Sequence, residues 1–349
     1  MSAPSREQRI LGIIETARRK RPRFKDERIT MAHGAGGKAT QTLIEGLLAP
    51  AFGIEELADA AVVNGDVAIT TDSFVVKPLR FPGGSIGDLA VNGTVNDLAA
   101  AGARPLALSL ALVLEEGLDA GVLRAEVEAM AAAAAAAGVR FVTGDTKVVE
   151  RGHADGMYVC TTGVGLRDPR ATLAPAAVVP GDRIIVSGSI GEHGTAIMLA
   201  RGDLGLDADV ESDTRSLWPA VDAILGPEIH CLRDATRGGV ASVLNEIARA
   251  AGVAMLVREG DVPVAPAVAG AAELLGIDPM YVANEGKLVA FVAPEAAEET
   301  VAALRGFDAA AAAIGEVKAE PPGMVLVETA FGGRRVMDQL VGDPLPRIC

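Results

Sequence analysis

The sequence is poor in cysteine and in aromatic residues. Its three cysteines, Cys160, Cys231 and Cys349, form no C-x-x-C pair in 349 residues. An odd count without paired spacing excludes the disulfide framework of a small secreted domain and favours a reducing compartment, the cytoplasm. Aromatic residues make up only 3% of the chain, so small aliphatic residues must build its core. A chain of this length can close two such cores without cross-links.

Long hydrophobic runs and a positive net charge are also missing. No apolar run approaches the roughly 18 to 20 residues that span a bilayer, and the N-terminal stretch lacks the continuous apolar segment of a signal peptide. A net charge of −14 argues against nucleic acid or an anionic membrane as partner. The first 30 residues differ, with nine Lys and Arg against four Asp and Glu. They form either a docking arm for an acidic partner or a solvated leader.

Common nucleotide and zinc motifs are absent as well. No glycine run reads G-x-x-x-x-G-K-[ST], and no G-x-G-x-x-G stands where a Rossmann unit would place it. The four histidines share no metal-ligand spacing, which argues against zinc. His33 and His193 each occupy a glycine turn, and we expect solvated turn residues there, with a place in a cleft as the alternative.

The order of patterns predicts an α/β (α+β) protein of two domains. Strand-like and helix-like stretches alternate from about residue 30 to 165, the proline-rich segment 167–183 interrupts them, and a second alternating block follows. We therefore expect a basic extension over 1–29, an N-terminal αβ domain over 30–166, a C-terminal α+β domain over 167–335 and a flexible tail over 336–349. The alanine tracts 131–137 and 309–313 are predicted to be helix interiors.

Carboxylates and glycines are abundant where chain reversals are expected. Taken alone, each aspartate is equally well explained as a turn former or helix cap. Gathered together they would repel one another unless a cation such as Mg²⁺ lay between them. Glycine runs at 33–39, 81–88, 187–194 and 236–242 let the backbone approach a phosphate. The combination predicts a metal–nucleotide site, and its five candidate aspartates are Asp66, Asp72, Asp97, Asp145 and Asp234.

Two lysines stand next to carboxylates in short polar breaks between apolar stretches. Asp145 and Lys147 form one pair, and Glu285 and Lys287 form the other. One member of each pair can hold phosphate while the other moves protons, because a partly dry cleft brings such pKa values toward neutrality. Surface ion pairs at strand ends are the alternative.

The three cysteines call for different interpretations. Cys160 lies in an apolar strand pattern and Cys231 in an apolar stretch, so both are expected in the core. Cys349 is the last residue, where packing explains nothing. Twelve extended residues reach at most about 40 Å, so the tail can bring this thiol to a neighbouring cleft or to a partner.

Several motifs together resemble the hydrogenase maturation carbamoyl dehydratases, the HypE family. They are "HGAGGKA", "TTDSFVV", "FPGGSIGDLAVNGTVNDLAAAGARP", "TGDTKVVERG", "SGSIGEHGTAI", "LRDATRGGV", "ANEGKLV" and the terminal "PRIC", in order over residues 30–349. The terminal motif separates this family from relatives of the same fold, which include aminoimidazole ribonucleotide synthetase, selenophosphate synthetase and thiamine-monophosphate kinase.

The resemblance implies a reaction and a set of partners. Cys349 would accept a carbamoyl group from the carbamoyltransferase HypF, ATP would phosphorylate the carboxamide oxygen, and loss of phosphate would leave a thiocyanate. The cyanide would pass to iron held by the HypC–HypD complex. The fold implied is the aminoimidazole ribonucleotide synthetase-like (PurM-like) fold, in which the N-terminal domains pair in a homodimer and ATP occupies the cleft.

The resemblance also implies roles for individual residues. The five aspartates would lie near Mg²⁺, and Lys147 and Glu285 would remove and orient protons. The residues implied around ATP are Gly34, Gly36, Gly37, Lys38, Asn92, Thr143, Gly144 and Lys287. Two alternatives remain open: a small-molecule kinase of the same fold, similar to thiamine-monophosphate kinase, and a scaffold in which the nucleotide only controls the tail.

Overall fold

A computed structural model describes residues 23–54, 57–202, 208–340 and 347–349. Most of the predicted basic extension 1–29 therefore lies outside the described residues. Within these ranges no helix is long and apolar enough to cross a membrane. The helices are α1 (Lys38–Leu43), α2 (Ala49–Phe52), α3 (Ile86–Ala100), α4 (Ala120–Ala136), α5 (Glu192–Arg201), α6 (Trp218–Ile224), α7 (Gly239–Ala251), α8 (Pro266–Leu275) and α9 (Ala297–Leu304). The strands are β1 (Ala61–Val63), β2 (Val67–Phe74), β3 (Arg80–Phe81), β4 (Gly84–Ser85), β5 (Ala103–Glu115), β6 (Arg140–Val149), β7 (Met157–Arg167), β8 (Arg183–Val186), β9 (Ile229–Asp234), β10 (Ala254–Arg258), β11 (Leu288–Val292), β12 (Ala312–Lys318), β13 (Met324–Glu328) and β14 (Arg334–Met337).

The N-terminal sheet has five strands in the order β1-β2-β7-β5-β6. Only β5 and β6 run parallel, and α3 and α4 pack on one face of the sheet. Helix α3 consists mostly of small residues, which lets it lie close to its neighbours. A Cβ atom at Gly87 would stand 2.5 Å from the Glu126 carbonyl oxygen of α4, so this contact requires glycine.

The opposite face of the same sheet carries exposed apolar side chains. Ile69 is 40% exposed, Val142 is 57% exposed, and Leu166 is also exposed. Strand β6 lies at the sheet edge, and most of its residues are exposed. An exposed patch of apolar side chains on a sheet is typical of a surface that packs against another protein surface.

The C-terminal sheet has seven strands in the order β14-β13-β10-β12-β8-β11-β9. Helix α7 packs on one face, and α6 and α9 pack on the other. The prediction for the second alanine tract is wrong: Ala312 and Ala313 begin β12 and pair with Val186 and Ile185 of β8. Five alanines are too few to nucleate a helix against the strand pairing that β8 offers.

One of the contacts between the two domains is made by the amide side chain of Asn96. Asn96 of α3 donates to the carbonyl oxygens of Arg215 and Glu285 at 3.0 Å and accepts a hydrogen bond from Leu217 N–H at 2.7 Å. Ala99 of the same helix packs into the C-terminal core. Both the nitrogen and the oxygen of this amide form hydrogen bonds with the C-terminal domain, and these bonds hold α3 in place against that domain.

The C-terminal segment is more ordered than the prediction of a flexible tail over 336–349. Strand β14 crosses the expected boundary at residue 335 and pairs with β13. Beyond it, Asp338 O accepts from Tyr281 Oη, and Leu340 O accepts from Lys38 N–H. Residues 347–349 contact the N-terminal domain, as detailed below. Residues 341–346 lie outside the described part of the chain.

Candidate active site

Two predicted aspartates meet where β2 faces α3. Asp72 lies near the end of β2, and Asp97 lies on α3, where Thr70 Oγ1 donates to its Oδ2 at 2.6 Å. A hydrogen bond from Asp97 lowers the pKa of Asp72, but burial raises that pKa by more. Burial also raises the pKa of Asp97 well above its usual range, and the charges of Asp72 and Asp234 add to the rise. Both carboxyls therefore favour their protonated forms more than an exposed aspartate does.

Two further aspartates approach, Asp234 from across the domain boundary and Asp59 from the N-terminal domain itself. Asp234 ends β9 and is buried, and its pKa is raised well above the usual range by burial first, then by Asp59 and Asp72. Asp59 precedes β1 and forms an ion pair with Arg233 of β9. This ion pair joins the two domains directly beside the carboxylates. We refer to Asp59, Asp72, Asp97 and Asp234 as the acidic cluster.

Glu285 adjoins the acidic cluster from the loop before β11. It is 3% exposed, and its backbone N–H donates to Asp213 Oδ1 at 3.0 Å. Burial raises its pKa well above the usual range, and the charges of Asp234, Asp213 and Asp72 raise it further. A buried carboxyl whose pKa is raised in this way is a candidate for proton transfer.

Lys287, two residues further on, points into a different set of carboxylates. Its Nζ lies 2.9 Å from Asp308 Oδ2, 3.6 Å from Glu192 Oε2 and 3.8 Å from Asp213 Oδ2. The side chain is buried. Lys287 thus offsets the negative charge of three carboxylates next to Glu285. One of them, Asp213, contacts both Lys287 and Glu285.

The glycine run 34–37 lies against the turn that starts α7. Gly36 has φ +77°, and a Cβ there would stand 2.8 Å from the carbonyl oxygen of Arg237. Arg237 Nη1 donates to Gly34 O at 2.8 Å, and its charge lowers the pKa of both Asp72 and Glu285. The run therefore stands beside the acidic cluster, with one guanidinium between them. Gly37 caps α1, and Lys38 Nζ turns to Asp338 at 2.7 Å.

Several predicted residues do not join this cluster within one chain. Asp66 is exposed in the turn between β1 and β2. Asp145 and Lys147 pair with each other on β6, where Lys147 lowers the pKa of Asp145 by its hydrogen bond. Thr143 and Gly144 are exposed on the same edge strand. Asn92 is buried on α3, the helix that carries Asp97, and donates to Thr214 Oγ1 at 3.3 Å.

The last three residues pack against the N-terminal domain. Val75 N–H donates to Cys349 O at 3.0 Å, and Lys77 N–H donates to Arg347 O at 3.2 Å, so the tail continues the pairing of β2. The Ile348 side chain is 4% exposed and packs in the N-terminal core. Cys349 packs beside it and is partly exposed.

The other cysteines and the glycine-turn histidines are buried to different degrees. Cys231 is in the core, where burial raises its pKa to about 12, whereas Cys160 is only partly buried, 3.7 Å from Thr71 Oγ1. His33 and His193 are both buried, contrary to the expectation of solvated turns. Each has partners on both ring nitrogens: His33 contacts Thr30 and Asp26, and His193 contacts Ser212 and Ile348.

The acidic cluster fits Mg²⁺ in the chemistry of its donors. Among the described residues, no three His, Cys, Asp or Glu side chains are close enough to enclose a metal ion by themselves. Magnesium, however, usually takes one or two carboxylates and fills its remaining positions with water and substrate phosphates. Buried carboxyls that raise one another's pKa are stabilised as anions when such a cation arrives.

Residues that sequence reasoning missed complete the site. Asp213 contacts Glu285, and Asp59, Arg233 and Arg237 shift the pKa values of the predicted carboxylates. His193, for which a place in a cleft is the alternative prediction, contacts the tail. Arg237 lies in the motif "LRDATRGGV", whose glycine turn is predicted to approach a phosphate. The sequence could therefore have suggested Arg237 as a phosphate ligand. No pattern marks Asp59 or Asp213, because each depends on a contact made far along the chain.

Two family models match most of the chain. The AIR synthase related protein N-terminal domain matches residues 57–167, and the C-terminal domain of the same family matches residues 179–327. Among curated relatives, carbamoyl dehydratase HypE of Rhodobacter capsulatus is 50% identical over 338 residues, covering 93% of this chain and 99% of that protein.

Solved structures agree with the family models. A HypE–HypF complex aligns with TM-score 0.83 at 43% identity, covering 85% of this chain and 99% of the other. A HypE in complex with ATP aligns with TM-score 0.79 at 44% identity, covering 92% and 100%. Thiamine monophosphate kinase of Aquifex aeolicus aligns with TM-score 0.64 at 16% identity, which shows a shared fold alone. The expected aminoimidazole ribonucleotide synthetase-like fold is therefore confirmed.

Proposed function

Since the chain belongs to the carbamoyl dehydratase HypE family of AIR synthase related proteins, we propose that it dehydrates a carbamoyl group on its own Cys349. ATP phosphorylates the carboxamide oxygen, the nitrogen loses its two protons, and phosphate leaves. The products are a protein thiocyanate, ADP, phosphate and one proton. The thiocyanate supplies cyanide ligands for the iron of [NiFe]-hydrogenase.

The observation that supports this proposal best is the position of the chain end. Cys349 lies against the same domain that carries Asp72 and Asp97, and the carbonyl before it contacts His193, whose neighbour Glu192 faces Lys287. Asp213 links Lys287 to Glu285. A tethered substrate needs this proximity, because holding reactants together replaces a bimolecular encounter.

The chain's own groups suggest how the proton steps are carried out. Glu285 is buried beside the acidic cluster, and its raised pKa makes it a stronger base than an exposed carboxylate for taking a proton from the amide nitrogen. The glycine run 34–37 and Arg237 offer backbone and a positive charge to the nucleotide phosphates. Asp72, Asp97 and Asp234 would hold Mg²⁺, which supplies charge neutralisation to the phosphoryl group.

We also propose that the protein acts as a homodimer through the open face of the N-terminal sheet. That face exposes Ile69, Val142 and Leu166, and β6 forms its edge. A dimer through this face carries Asp145 and Lys147 to a site shared by two chains, where Lys147 would assist Glu285 in proton removal. Light scattering tests this part: Val142→Glu should yield monomers, and an unaltered mass would refute the proposed interface.

The proposed partners follow from the chemistry and from the relatives. A HypE is known in complex with HypF, and HypF is the proposed carbamoyl donor here. The HypC–HypD complex is the proposed acceptor of cyanide, since a thiocyanate carbon is electrophilic. We place the reaction in the cytoplasm on the ground of the cysteine content alone.

Intact mass spectrometry tests the reaction directly. After incubation with the carbamoyl donor system, the mass of the protein should rise by one carbamoyl group on Cys349 and then fall by one water when Mg-ATP is added. Cys349→Ala should show neither change. An adduct on Cys160 or Cys231, or no loss of water with ATP, would contradict the proposal and favour a kinase of the same fold. A kinase of this fold would have no role for Cys349. The likeness to thiamine monophosphate kinase extends only to the fold.

A further inference from the structure

A fully buried histidine connects the C-terminal tail to the second domain. His193 begins the first turn of α5, and its Nε2 lies 2.6 Å from the carbonyl oxygen of Ile348. Its Nδ1 lies 2.8 Å from Ser212 Oγ. The neighbouring ring of Phe81 packs edge-on against the imidazole. All of these contacts are made by the side chain of His193, and none of them is a backbone hydrogen bond of a helix or a sheet.

The hydrogen-bond partners determine the tautomer of this histidine. A carbonyl oxygen can only accept, so Nε2 must carry the proton and donate to Ile348 O. Burial lowers the pKa of His193, so the ring is neutral and its Nδ1 accepts. Ser212 Oγ–H then donates to Nδ1, while the same oxygen accepts from Thr214 N–H at 3.2 Å. Ser212 thereby keeps the Nε2 proton aimed at the tail.

Further groups hold the tail on either side of this contact. Arg201 Nη2 donates to Arg347 O at 2.6 Å, and Arg347 Nη1 donates to Asp155 Oδ2 at 2.6 Å. With the backbone pairing to Val75 and Lys77, all three carbonyl groups of residues 347–349 receive a hydrogen bond. Of these donors, His193 is the one closest in sequence to the carboxylates around Lys287, because Glu192 precedes it.

We propose that His193 is a positioning residue for the dehydration step, and this inference rests on the proposed function. By holding the carbonyl of Ile348, it fixes the residue that carries the reacting group relative to α5 and Glu285. Loss of the donor leaves a buried carbonyl without a partner, which favours departure of the tail. The carbamoyl group would then spend less time in the position where it is phosphorylated.

The test uses full-length protein carrying a preformed carbamoyl group on Cys349. The variants are His193→Gln, which keeps an amide donor near the place of Nε2, and His193→Leu, which removes it. Single-turnover loss of water with saturating Mg-ATP should slow about tenfold in the leucine variant, the usual worth of one hydrogen bond. Maleimide labelling of the uncarbamoylated Cys349 should quicken by a similar factor. The glutamine variant should lie between this variant and the unaltered protein in both measurements.

A matched control separates positioning from general damage. His230→Leu removes another histidine of the C-terminal domain, one that contacts Asp182 and not the tail, and should leave both rates unchanged. Should the His193 variants fail to fold, Asp155→Asn loosens the same tail from the surface and should show the same paired changes. Normal dehydration and normal labelling in the folded His193 variants would overturn the inference, as would slower dehydration with unchanged labelling. If Asp155→Asn is the readable variant, unchanged rates there would overturn it too. No dehydration in the unaltered protein would instead contradict the proposed function.

Discussion

Truncation of Ile348 should release the C-terminal tail without unfolding either domain. The side chain is 4% exposed and packs in the N-terminal core. Ile348→Ala removes three carbon groups from that site at about 0.8 kcal/mol each, or about 2.4 kcal/mol. Since about 1.4 kcal/mol is a factor of ten, the ratio of docked to free tail should fall about 50-fold. Ile348→Val removes one carbon and should lower the ratio about fourfold.

The assay is the rate at which maleimide labels Cys349, followed by mass analysis of the C-terminal peptide at constant pH. The labelling rates should rank alanine, then valine, then the unaltered protein. The melting temperature should fall by at most a few degrees, because the strands of both sheets keep their pairing. Equal labelling in all three proteins would refute the docked tail, and labelling that rises only together with global unfolding would refute local release.

Three further predictions concern the site. Asp97→Asn should abolish the thermal stabilisation by Mg-ATP, as seen in thermal melts, yet raise the melting temperature of the ligand-free protein, because it replaces a buried carboxyl whose anion is disfavoured by burial and by neighbouring carboxylates. Glu285→Gln should leave ATP binding intact and slow dehydration of the carbamoylated protein by roughly 10² or more in a single-turnover assay; a normal rate would exclude it as the base. The folded pKa of His193 lies below 6.5, so the unfolded chain binds more protons and stability should fall as pH drops through 6.5. Melting temperatures of His193→Gln between pH 7.5 and 5.5 should fall less than those of the unaltered protein, and parallel curves would refute this assignment.

Much of the architecture follows from local pattern. Strands and helices alternate in both blocks on either side of the proline-rich segment 167–183, as the sequence predicts. These elements have a clear hydrophobic period or strong propensity, and each buries a face that its own sequence specifies. The tract 309–313 shows the limit, since alanine propensity yields to strand pairing with β8.

The candidate site was predictable only in part for a related reason. Asp72, Asp97, Asp234 and Glu285 stand in short motifs with glycines or strand ends, and those neighbouring residues mark them in the sequence itself. Their common feature in the folded protein is a set of shifted pKa values that arises from mutual charge and burial. Asp145 and Lys147 pair with each other outside this cluster, and their role stays a prediction.

The sequence by itself determined the two-domain class, the glycine and carboxylate motifs and the unusual terminal thiol, because each is written in neighbouring residues. Tertiary structure alone decided that Asp59 and Asp213 join the site, that Lys287 faces a separate set of carboxylates, and that Ile348 is buried. These facts depend on pairs of residues far apart in the chain, such as His193 and Ile348, 155 positions apart. Such residues come into contact only when both domains are folded and α3 is packed between them.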